Sequence, residues 1–450
     1  MNETPSAQAT ASMDDGALIA QGRRILRAND RGGYAVPSSR LYPFQWNWDA
    51  AVNAVGWQTF DEPRAWQEVT SLLEGQWDNG LVPSIVFHRP ADSYFPGPQE
   101  WGCEHLSPPT TSISQPPLLA SMVLRLRDRS RDPQVDPRLR GLVPKIVRWH
   151  RWWHHDRDPE GTGLSVIYHP WETGSDNSPA WDEPLARVPP ATRPYQRRDT
   201  GVVDGSMRPH QAEYDRFVYL MDFFRERGFD ARRIYDECPF RVADFALNAI
   251  LLRADRDLAI LCNSLGMDTE AEELRSYAGR TAAALDTLWV PSLGRYVSQD
   301  TRNGRPLTQR TFASFLAWYG HTFTGPDAQA KSQALLVEFE ALVQATRFGL
   351  ASTHPAEAGY DPRRYWRGPV WPHINWLVSL GLAEHGYHAQ AERLRADTLA
   401  LIRHGGPCEY FSADTGEGLG GPDFSWTAAI SLILLEAGTG TAARPASVAK

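Results

Sequence analysis

Helical patterns of two kinds alternate along most of the chain. In the first kind nearly every position is apolar, which is typical of a helix that is buried on most sides. In the second kind the apolar residues form one stripe with the α-helical period, which is typical of a helix with one face in water. The first kind occupies residues 240–261, 311–319, 370–382 and 426–437. The second kind occupies residues 270–288, 327–344 and 387–402.

Two concentric rings of antiparallel helices would produce this alternation, because inner helices touch both the centre and the outer ring. Further helical patterns cover residues 17–28, 48–57, 63–75, 117–126, 142–155 and 210–227. Strand patterns are few and short, such as Leu164 to Tyr168. The sequence therefore predicts an all-α fold, a toroid of about a dozen helices arranged as hairpins.

The composition is that of an ordinary globular protein, with 42% hydrophobic and 22% charged residues. A formal net charge of -8 argues against a surface that binds nucleic acid or an acidic membrane. No apolar run approaches the roughly 20 residues that a membrane helix needs. The scattered cysteines favour a reduced, cytoplasmic protein, while one or two structural disulfides stay open as an alternative. They are Cys103, Cys238, Cys262 and Cys408.

No strong domain break interrupts the helical patterns, so residues 16–438 are predicted to form a single domain. Residues 1–15 lack the basic start and apolar core of a secretory signal, and they are predicted to be a disordered tail. Residues 439–450 are predicted to be a second tail. A Pro- and Arg-rich stretch at about 180–210 is predicted to be an inserted cap over an active site. A disordered surface loop is the alternative for this stretch.

Loops that combine Trp and Tyr with polar residues precede the inner-type helices. They are residues 42–49, 76–83, 94–97 with 114–117, 171–179, 365–371, and 408–417 with 424–426. In a double ring, every loop that feeds an inner helix emerges at the same end, so these side chains are expected to line one concave mouth. Sparse polar groups against aromatic walls are typical of a small-ligand site, and this mixture favours a neutral, hydroxyl-rich ligand. The alternative is that each Trp fills the core and each acid is a helix N-cap.

The segment HPWETGSDNSP at residues 169–179 shows this composition most clearly. It places two carboxylates, Glu172 and Asp176, beside Trp171. A carboxylate can bind hydroxyls or move a proton, and an indole can pack on the C–H face of a sugar. The alternative is a turn in which Asp176 is a cap and Trp171 belongs to the core.

Three motifs, HPWETGSDNSP, RRYWRGPVWP and EYFSADTGEG with its following FSW, resemble those of glycoside hydrolase family 63. Within that family they are most similar to the small bacterial mannosylglycerate and glucosylglycerate hydrolases, which are distant relatives of trehalase and glucoamylase. The resemblance runs from about Tyr42 to Trp426. It implies an (α/α)6 barrel and hydrolysis of a small anionic α-glycoside with inversion of configuration.

Inverting hydrolysis needs a protonated carboxylic acid at the leaving oxygen and a carboxylate that activates water on the opposite face of the sugar. The resemblance implies that Asp176 is the general acid and Glu409 the general base. The acid must keep its proton near neutral pH, so Asp176 is expected to be desolvated. The competing acids are Glu172, Asp182 and Glu417.

The resemblance also implies a set of substrate-binding residues. Those that would hold the sugar are Tyr42, Trp48, Asp49, Trp366 and Trp371, with Trp171, Gln115 and Tyr94 as further members. Those that would hold the glycerate carboxylate are Arg208, Tyr214 and Tyr365. A guanidinium suits a carboxylate because its fork can bond both oxygens. The alternative for Arg208 is a solvated loop charge.

Three positions depart from the family pattern, namely Thr173, Ser175 and Ser84. Since Ser175 adjoins the proposed acid, the preference between glucose and mannose stays open. No metal or other cofactor is predicted, because the acids of residues 156–163 lack the full pattern of a calcium loop. The expected partner is a small-molecule sugar, with no nucleic acid or membrane. The oligomeric state, including a homo-oligomer, stays open.

Three rival functions stay open beside this one. The first is a trehalase-like or oligosaccharide-trimming α-glucosidase that acts on uncharged sugars. The second is a non-catalytic toroid that binds a sugar or a protein. The third is a terpenoid cyclase or lyase. The sequence argues against this function because it has no D-D-x-x-D motif on a helix.

Overall fold

The computed structural model describes residues 13–438, and these are mostly helical. Sixteen α-helices follow one another in this part of the chain. They are α1 (Asp15–Asn29), α2 (Asn47–Gln58), α3 (Glu62–Glu74), α4 (Pro98–Trp101), α5 (Leu119–Arg129), α6 (Val135–Asp156), α7 (Asp182–Ala186), α8 (Gln211–Glu226), α9 (Ala231–Glu237), α10 (Phe245–Ser264), α11 (Asp268–Asp286), α12 (Leu316–Gly320), α13 (Ala328–Gln344), α14 (Pro372–Glu384), α15 (His388–Gly405) and α16 (Ser425–Gly438).

The strands are short and all pair antiparallel. They are β1 (Gln45–Trp46), β2 (Ile85–Val86), β3 (Val242–Ala243), β4 (Trp289–Val290), β5 (Arg295–Tyr296), β6 (Ser298–Asp300), β7 (Arg305–Leu307), β8 (Tyr410–Phe411) and β9 (Gly418–Leu419). The sheets are β1-β2, β3-β6-β7, β4-β5 and β8-β9. The expected strand from Leu164 to Tyr168 is reduced to one bridge between Ile167 and Val242.

Six helices pack side by side in a closed ring. The order of contacts is α2, α5, α10, α12, α14 and α16, and α16 packs back against α2. Four other helices each pack mainly against one member of this ring, α1 on α16, α3 on α2, α11 on α10 and α15 on α14. The members of the ring are the helices whose sequences are apolar on most sides, as predicted, together with the helices that start near residues 48 and 117.

Burial follows the same division. Every residue of α2 from Asn47 to Trp57 is buried, whereas α11 buries only one face. Neighbouring ring helices approach closely where side chains are small. A Cβ on Gly381 of α14 would lie 2.2 Å from the backbone nitrogen of Tyr319 in α12. A larger residue would therefore force the two helices apart.

Local signals explain most helix boundaries. The side chain of Asp244 caps α10 by accepting from the backbone N–H groups of Ala246 and Leu247, so this helix begins later than the predicted residue 240. The predicted helix at 311–319 begins as a 3-10 helix, Phe312–Phe315, before α12. The short helices α4, α7 and α9 were not predicted, because four to seven residues give too little periodicity.

The predicted tails lie mostly outside the described residues, which exclude 1–12 and 439–450. Asp15, placed in the first tail, is instead the first residue of α1, whose N-cap is Asp14. The predicted cap stretch contains α7 and the 3-10 helices Asp199–Gly201 and Gly205–Met207. No helix within residues 13–438 is long and apolar enough to cross a membrane.

Candidate active site

A cavity opens to solvent where the chain enters α2, α5, α14 and α16. Most of the predicted site residues line it. These are Tyr42, Trp48, Asp49, Tyr94, Gln115, Trp171, Asp176, Arg208, Tyr214, Tyr365 and Glu409. Residues from distant parts of the sequence thus meet in one bowl, as the loop pattern predicted.

Trp366 and Trp371 do not line the cavity. Their rings stack on each other at 3.9 Å and 4°, and both are buried. Trp366 lies 6.1 Å from the ring of Trp48, and Trp371 lies 5.1 Å from the ring of Tyr365. The two indoles therefore form a second layer that supports the wall of the cavity.

Several lining residues were not predicted as site residues. They are Pro37, Leu41, Trp46, Ser84, Ile85, Ser93, Phe95, Pro96, Trp101, Gly174, Arg198, Asp199, Val202, Pro209, Phe424 and Trp426. Trp46, Phe424 and Trp426 fall within the polar-aromatic loops, so their composition was a usable signal. Asp199 and Arg198 belong to the cap stretch, where nothing in the local sequence distinguishes them from neighbouring charges.

Glu409 is held rigidly beside the cavity. Its backbone N–H donates to the carbonyl of Gly421 at 3.0 Å, and its own carbonyl accepts from Nε1 of Trp426 at 3.1 Å. The hydroxyl of Tyr42 donates to Oε1 at 2.9 Å. Oε2 is buried, and Nη1 of Arg208 lies 3.8 Å away. Oε2 therefore has no hydrogen-bond partner in the described part of the chain.

Burial raises the pKa of Glu409 to about 7. The positive charge of Arg208 and the hydrogen bond from Tyr42 oppose this shift, because both favour the ionised carboxylate. Glu409 is therefore ionised in a large part of the molecules near neutral pH, which is the state that a general base requires.

Asp176 has a different environment. Desolvation raises its pKa to about 8 against the opposing charge of Arg208, and the charge of Glu409 raises it further. Its carboxyl is half-buried in the cavity wall and makes no hydrogen bond to another described residue. Asp176 therefore carries a proton near neutral pH, which it can donate.

The loop that carries Asp176 is packed closely against α2. Gly174 has a φ of +72°, and a Cβ there would lie 2.4 Å from the indole of Trp48. Two of the three departures from the family pattern bond to each other, since the hydroxyls of Thr173 and Ser175 lie 2.9 Å apart. Nε1 of Trp181 donates to the carbonyl of Ser175 at 2.8 Å. These contacts fix the backbone on one side of the proposed acid.

None of the three competing acids lines the cavity. Glu172 is buried and accepts from Arg157 at 3.0 Å and 2.7 Å. Asp182 accepts from Arg367 at 2.6 Å, and Glu417 pairs with Arg363 on the surface. Their carboxylates therefore have structural partners.

Asp49 lies in the first turn of α2 and is buried, with Oδ1 free of hydrogen bonds to the described residues. Burial, with the charge of Glu409 adding to it, raises the pKa of Asp49 well above its usual range. Because α2 has no side-chain cap, the alternative that Asp49 is an N-cap is wrong. Asp49 lines the cavity, where its carboxyl can bond a ligand hydroxyl.

Arg208 is buried, so the alternative of a solvated charge is wrong. Its Nε donates to Asp199 at 3.1 Å, and its Nη1 donates to the hydroxyl of Tyr42 at 2.7 Å. The guanidinium also lies 4.3 Å from the ring centre of Tyr365. Arg197 donates to the same Asp199 and covers the ring of Tyr214, so the cap and the cavity share one ionic network.

The described residues contain no cluster of three or more His, Cys, Asp or Glu side chains that could hold a metal ion. The chemistry of the cavity is that of three carboxyls with raised pKa values, a buried guanidinium and aromatic walls. Such a set can transfer protons to and from a bound glycoside.

Residues 42–427 match the family model described as "Mannosylglycerate hydrolase MGH1-like glycoside hydrolase domain". The chain belongs to this family. It is therefore a glycoside hydrolase, and the resemblance seen in the three motifs is confirmed.

Named relatives cover nearly the whole chain. Mannosylglycerate hydrolase MGH1 of Selaginella moellendorffii is 44% identical over 92% of this chain and 84% of its own. Mannosylglycerate hydrolase of Thermus thermophilus is 44% identical over 91% of this chain and 98% of its own. Glucosylglycerate hydrolase of Mycolicibacterium hassiacum is 34% identical over 92% of this chain and 97% of its own.

Solved structures agree with this assignment. The family 63 mannosylglycerate hydrolase of Thermus thermophilus, in complex with Tris and D-glycerate, has a TM-score of 0.89 and is 43% identical. The alignment covers 92% of this chain and 99% of that chain. Neutral trehalase Nth1 of Saccharomyces cerevisiae, at 19% identity and a TM-score of 0.57, shares the fold only; the alignment covers 91% of this chain and 74% of that chain.

Proposed function

We propose that this glycoside hydrolase cleaves a small anionic α-glycoside, mannosylglycerate or glucosylglycerate, to the hexose and glycerate with inversion of configuration. One observation carries the proposal. Asp176 and Glu409, which lie far apart in the sequence, line the same cavity. Burial raises both pKa values, to about 8 and about 7, so one carboxyl keeps its proton while the other can lose it.

In this mechanism Asp176 donates its proton to the glycosidic oxygen as the bond to the anomeric carbon breaks. The carboxylate of Glu409 accepts a proton from a water, whose oxygen bonds to the anomeric carbon from the opposite face. The products are the inverted hexose and free glycerate. The two carboxyls then exchange protons with solvent to restore the starting states.

The remaining lining residues divide into two groups. Asp49 accepts hydrogen bonds from sugar hydroxyls, while Trp48 and Trp171 pack on the ring. On the glycerate side, Arg208 bonds the carboxylate through Nη2, which makes no hydrogen bond to residues 13–438. The aromatic side chains around it are Tyr94, Tyr214 and Tyr365.

The finer features of the fold belong to the same proposal. We propose that the closed ring and its outer helices are an (α/α)6 barrel within a single domain of residues 16–438. Residues 180–210 form its cap, which is supported by the cavity contacts of Asp199 and Arg208. We also propose a cytoplasmic location, which is supported by four cysteines that are all free thiols.

The test is to assay the purified chain on mannosylglycerate, glucosylglycerate, trehalose and kojibiose. We expect turnover of a glycerate glycoside, and proton NMR should show the β-anomer of the hexose first. Asp176→Asn and Glu409→Gln should each lower kcat by several orders of magnitude. Asp182→Asn and Glu417→Gln make the same chemical changes outside the cavity and should keep most of the activity.

Three results would contradict the proposal. Activity on the uncharged disaccharides alone would favour a trehalase-like enzyme. First release of the α-anomer would mean retention rather than inversion. Near-normal turnover by Asp176→Asn or Glu409→Gln would reject that residue as the acid or the base.

A further inference from the structure

The charge of Arg208, the buried arginine of the cavity, is already largely compensated by neighbouring carboxylates. Nε of Arg208 bonds Asp199 at 3.1 Å, and its Nη1 lies 3.8 Å from Oε2 of Glu409. Two carboxylates therefore lie within ion-pair distance of one guanidinium. An anionic substrate would add a third negative charge to this group, so Arg208 alone gives weak discrimination between an acid and a neutral analogue.

A second arginine lies in the wall of the same cavity. Of the described residues that line the cavity, two are basic, Arg198 and Arg208. Arg198 is exposed, and its guanidinium has no hydrogen-bond or ion-pair partner within residues 13–438. Its charge is therefore not compensated by the protein.

The backbone around Arg198 is held in place by its neighbours. Arg198 precedes the 3-10 helix Asp199–Gly201, and its carbonyl accepts from the N–H of Gly201 at 3.1 Å. Asp199 is bonded by Arg197 at 3.0 Å and 2.7 Å and by Arg208 at 3.1 Å. The network thus anchors the chain next to Arg198, which lines the open cavity and is exposed.

We propose that Arg198 is a specificity-determining residue that selects an anionic aglycone by pairing with its carboxylate at the solvent-open side of the cavity. The inference rests on the proposed function and names a residue that the family resemblance does not. Arg208 orients the carboxylate from inside, and Arg198 supplies the uncompensated charge that distinguishes it from a neutral group. A planar guanidinium can bond both carboxylate oxygens, which an ammonium group cannot do equally well.

The test compares two substrates that differ only in charge. They are mannosylglycerate and mannosylglycerol, in which a hydroxymethyl group replaces the carboxylate. Arg198→Gln should lower kcat/KM for mannosylglycerate about two- to fivefold, mainly through KM, which is the range for an exposed ion pair. The kcat/KM of this variant for mannosylglycerol should equal that of the wild type, because no charge pair is lost with the neutral substrate. Arg198→Lys should recover part of the loss.

Arg40→Gln is the matched control. Arg40 is also exposed and without a partner within the described residues, but it does not line the cavity. This variant should behave as the wild type on both substrates. The preference of the wild type for the anionic substrate should also decline with added salt, and that of Arg198→Gln should change less.

The outcomes separate this inference from the proposed function. If the wild type cleaves mannosylglycerate and Arg198→Gln does so equally well, the inference is wrong and the function stands. An equal loss on both substrates would assign Arg198 a structural role and would also overturn the inference. If the wild type cleaves no glycerate glycoside, the proposed function fails and the inference falls with it.

Discussion

Replacing Tyr42 by Phe removes the one hydroxyl that connects the proposed base to the buried arginine. The hydroxyl donates to Oε1 of Glu409 at 2.9 Å and accepts from Nη1 of Arg208 at 2.7 Å. Since the hydrogen bond favours the ionised carboxylate, its loss must raise the pKa of Glu409 above about 7. The acidic limb of the pH–activity profile should therefore move to a higher pH.

The size of the shift follows from the geometry. A hydrogen bond to a charged group contributes about 1.5–3 kcal/mol, and each pKa unit corresponds to about 1.4 kcal/mol. The loss of this hydrogen bond can therefore raise the pKa of Glu409 by at most about two units. Arg208, already 3.8 Å from Oε2, can move closer once its acceptor is gone, which restores part of the stabilisation. We expect a shift of about one unit, which alone makes Tyr42→Phe about tenfold slower at pH 6.

The assay is the pH dependence of kcat/KM between pH 5 and pH 10. The wild type should give a bell with apparent pKa values of about 7 and about 8, which belong to the coupled pair. Tyr42→Phe should move only the acidic limb. Tyr94→Phe, a matched change in the same cavity without contact to Glu409, should move neither limb. An unmoved acidic limb, or a shift of the alkaline limb instead, would refute the assignment of Glu409 as the base.

Three further predictions concern the supports of the site. Gly174→Ala should lower both kcat, at least tenfold, and the melting temperature, because its φ is +72° and its Cβ would meet an indole carbon at 2.4 Å. Gly161→Ala, with a φ of +66° and open space, isolates the backbone strain and should keep its kcat; equal losses of kcat would contradict the argument. Arg157→Met should cost about 3–5 kcal/mol of unfolding free energy in urea melts, because it leaves the Glu172 carboxylate buried and unpaired. Adding Glu172→Gln should restore part of this loss, and an unchanged single variant would reject the pairing. Asp176→Asn should be more stable than the wild type at pH 9 but not at pH 4, because a folded-state pKa of about 8 means that the wild type loses stability as pH rises from about 4 to 8. A pH-independent difference in melting temperature would contradict this.

The helix arrangement could be predicted because the distribution of apolar residues around a helix indicates which of its faces are buried. A helix such as α14, apolar on most sides, has to be one of the helices that form the inner ring. A striped helix such as α15 has to lie outside that ring. The loops that feed the inner helices then meet by geometry. Asp49, Asp176 and Glu409 therefore come together in the structure although no local sequence signal connects them.

The directions of side chains within those loops could not be predicted. The motif around Trp366 and Trp371 has the composition of a binding wall, yet both indoles lie behind it. Tyr365 adopts a φ of +46°, a conformation that a tyrosine rarely takes and that a sequence pattern does not indicate. Tyr365, which was expected to hold the glycerate carboxylate, does line the cavity. Asp199 was missed for a similar reason, since its role depends on two arginines that only the fold brings to it.

Burial alone cannot produce a catalytic pair, because it raises the pKa of both carboxyls and would leave both protonated. The two residues must be pushed apart by something unequal in their surroundings. Arg208 opposes the burial of both, but Glu409 also accepts a hydrogen bond from Tyr42, while Asp176 accepts none from another described residue. The backbone of Gly421 and the hydroxyl of Tyr365 also lower the pKa of Glu409, so the hydrogen-bonding surroundings favour ionisation at Glu409 more than at Asp176. The division into acid and base therefore follows from the groups around Glu409, of which the Tyr42 hydroxyl is one, and Asp199 contributes to it by bonding the arginine that donates to this hydroxyl.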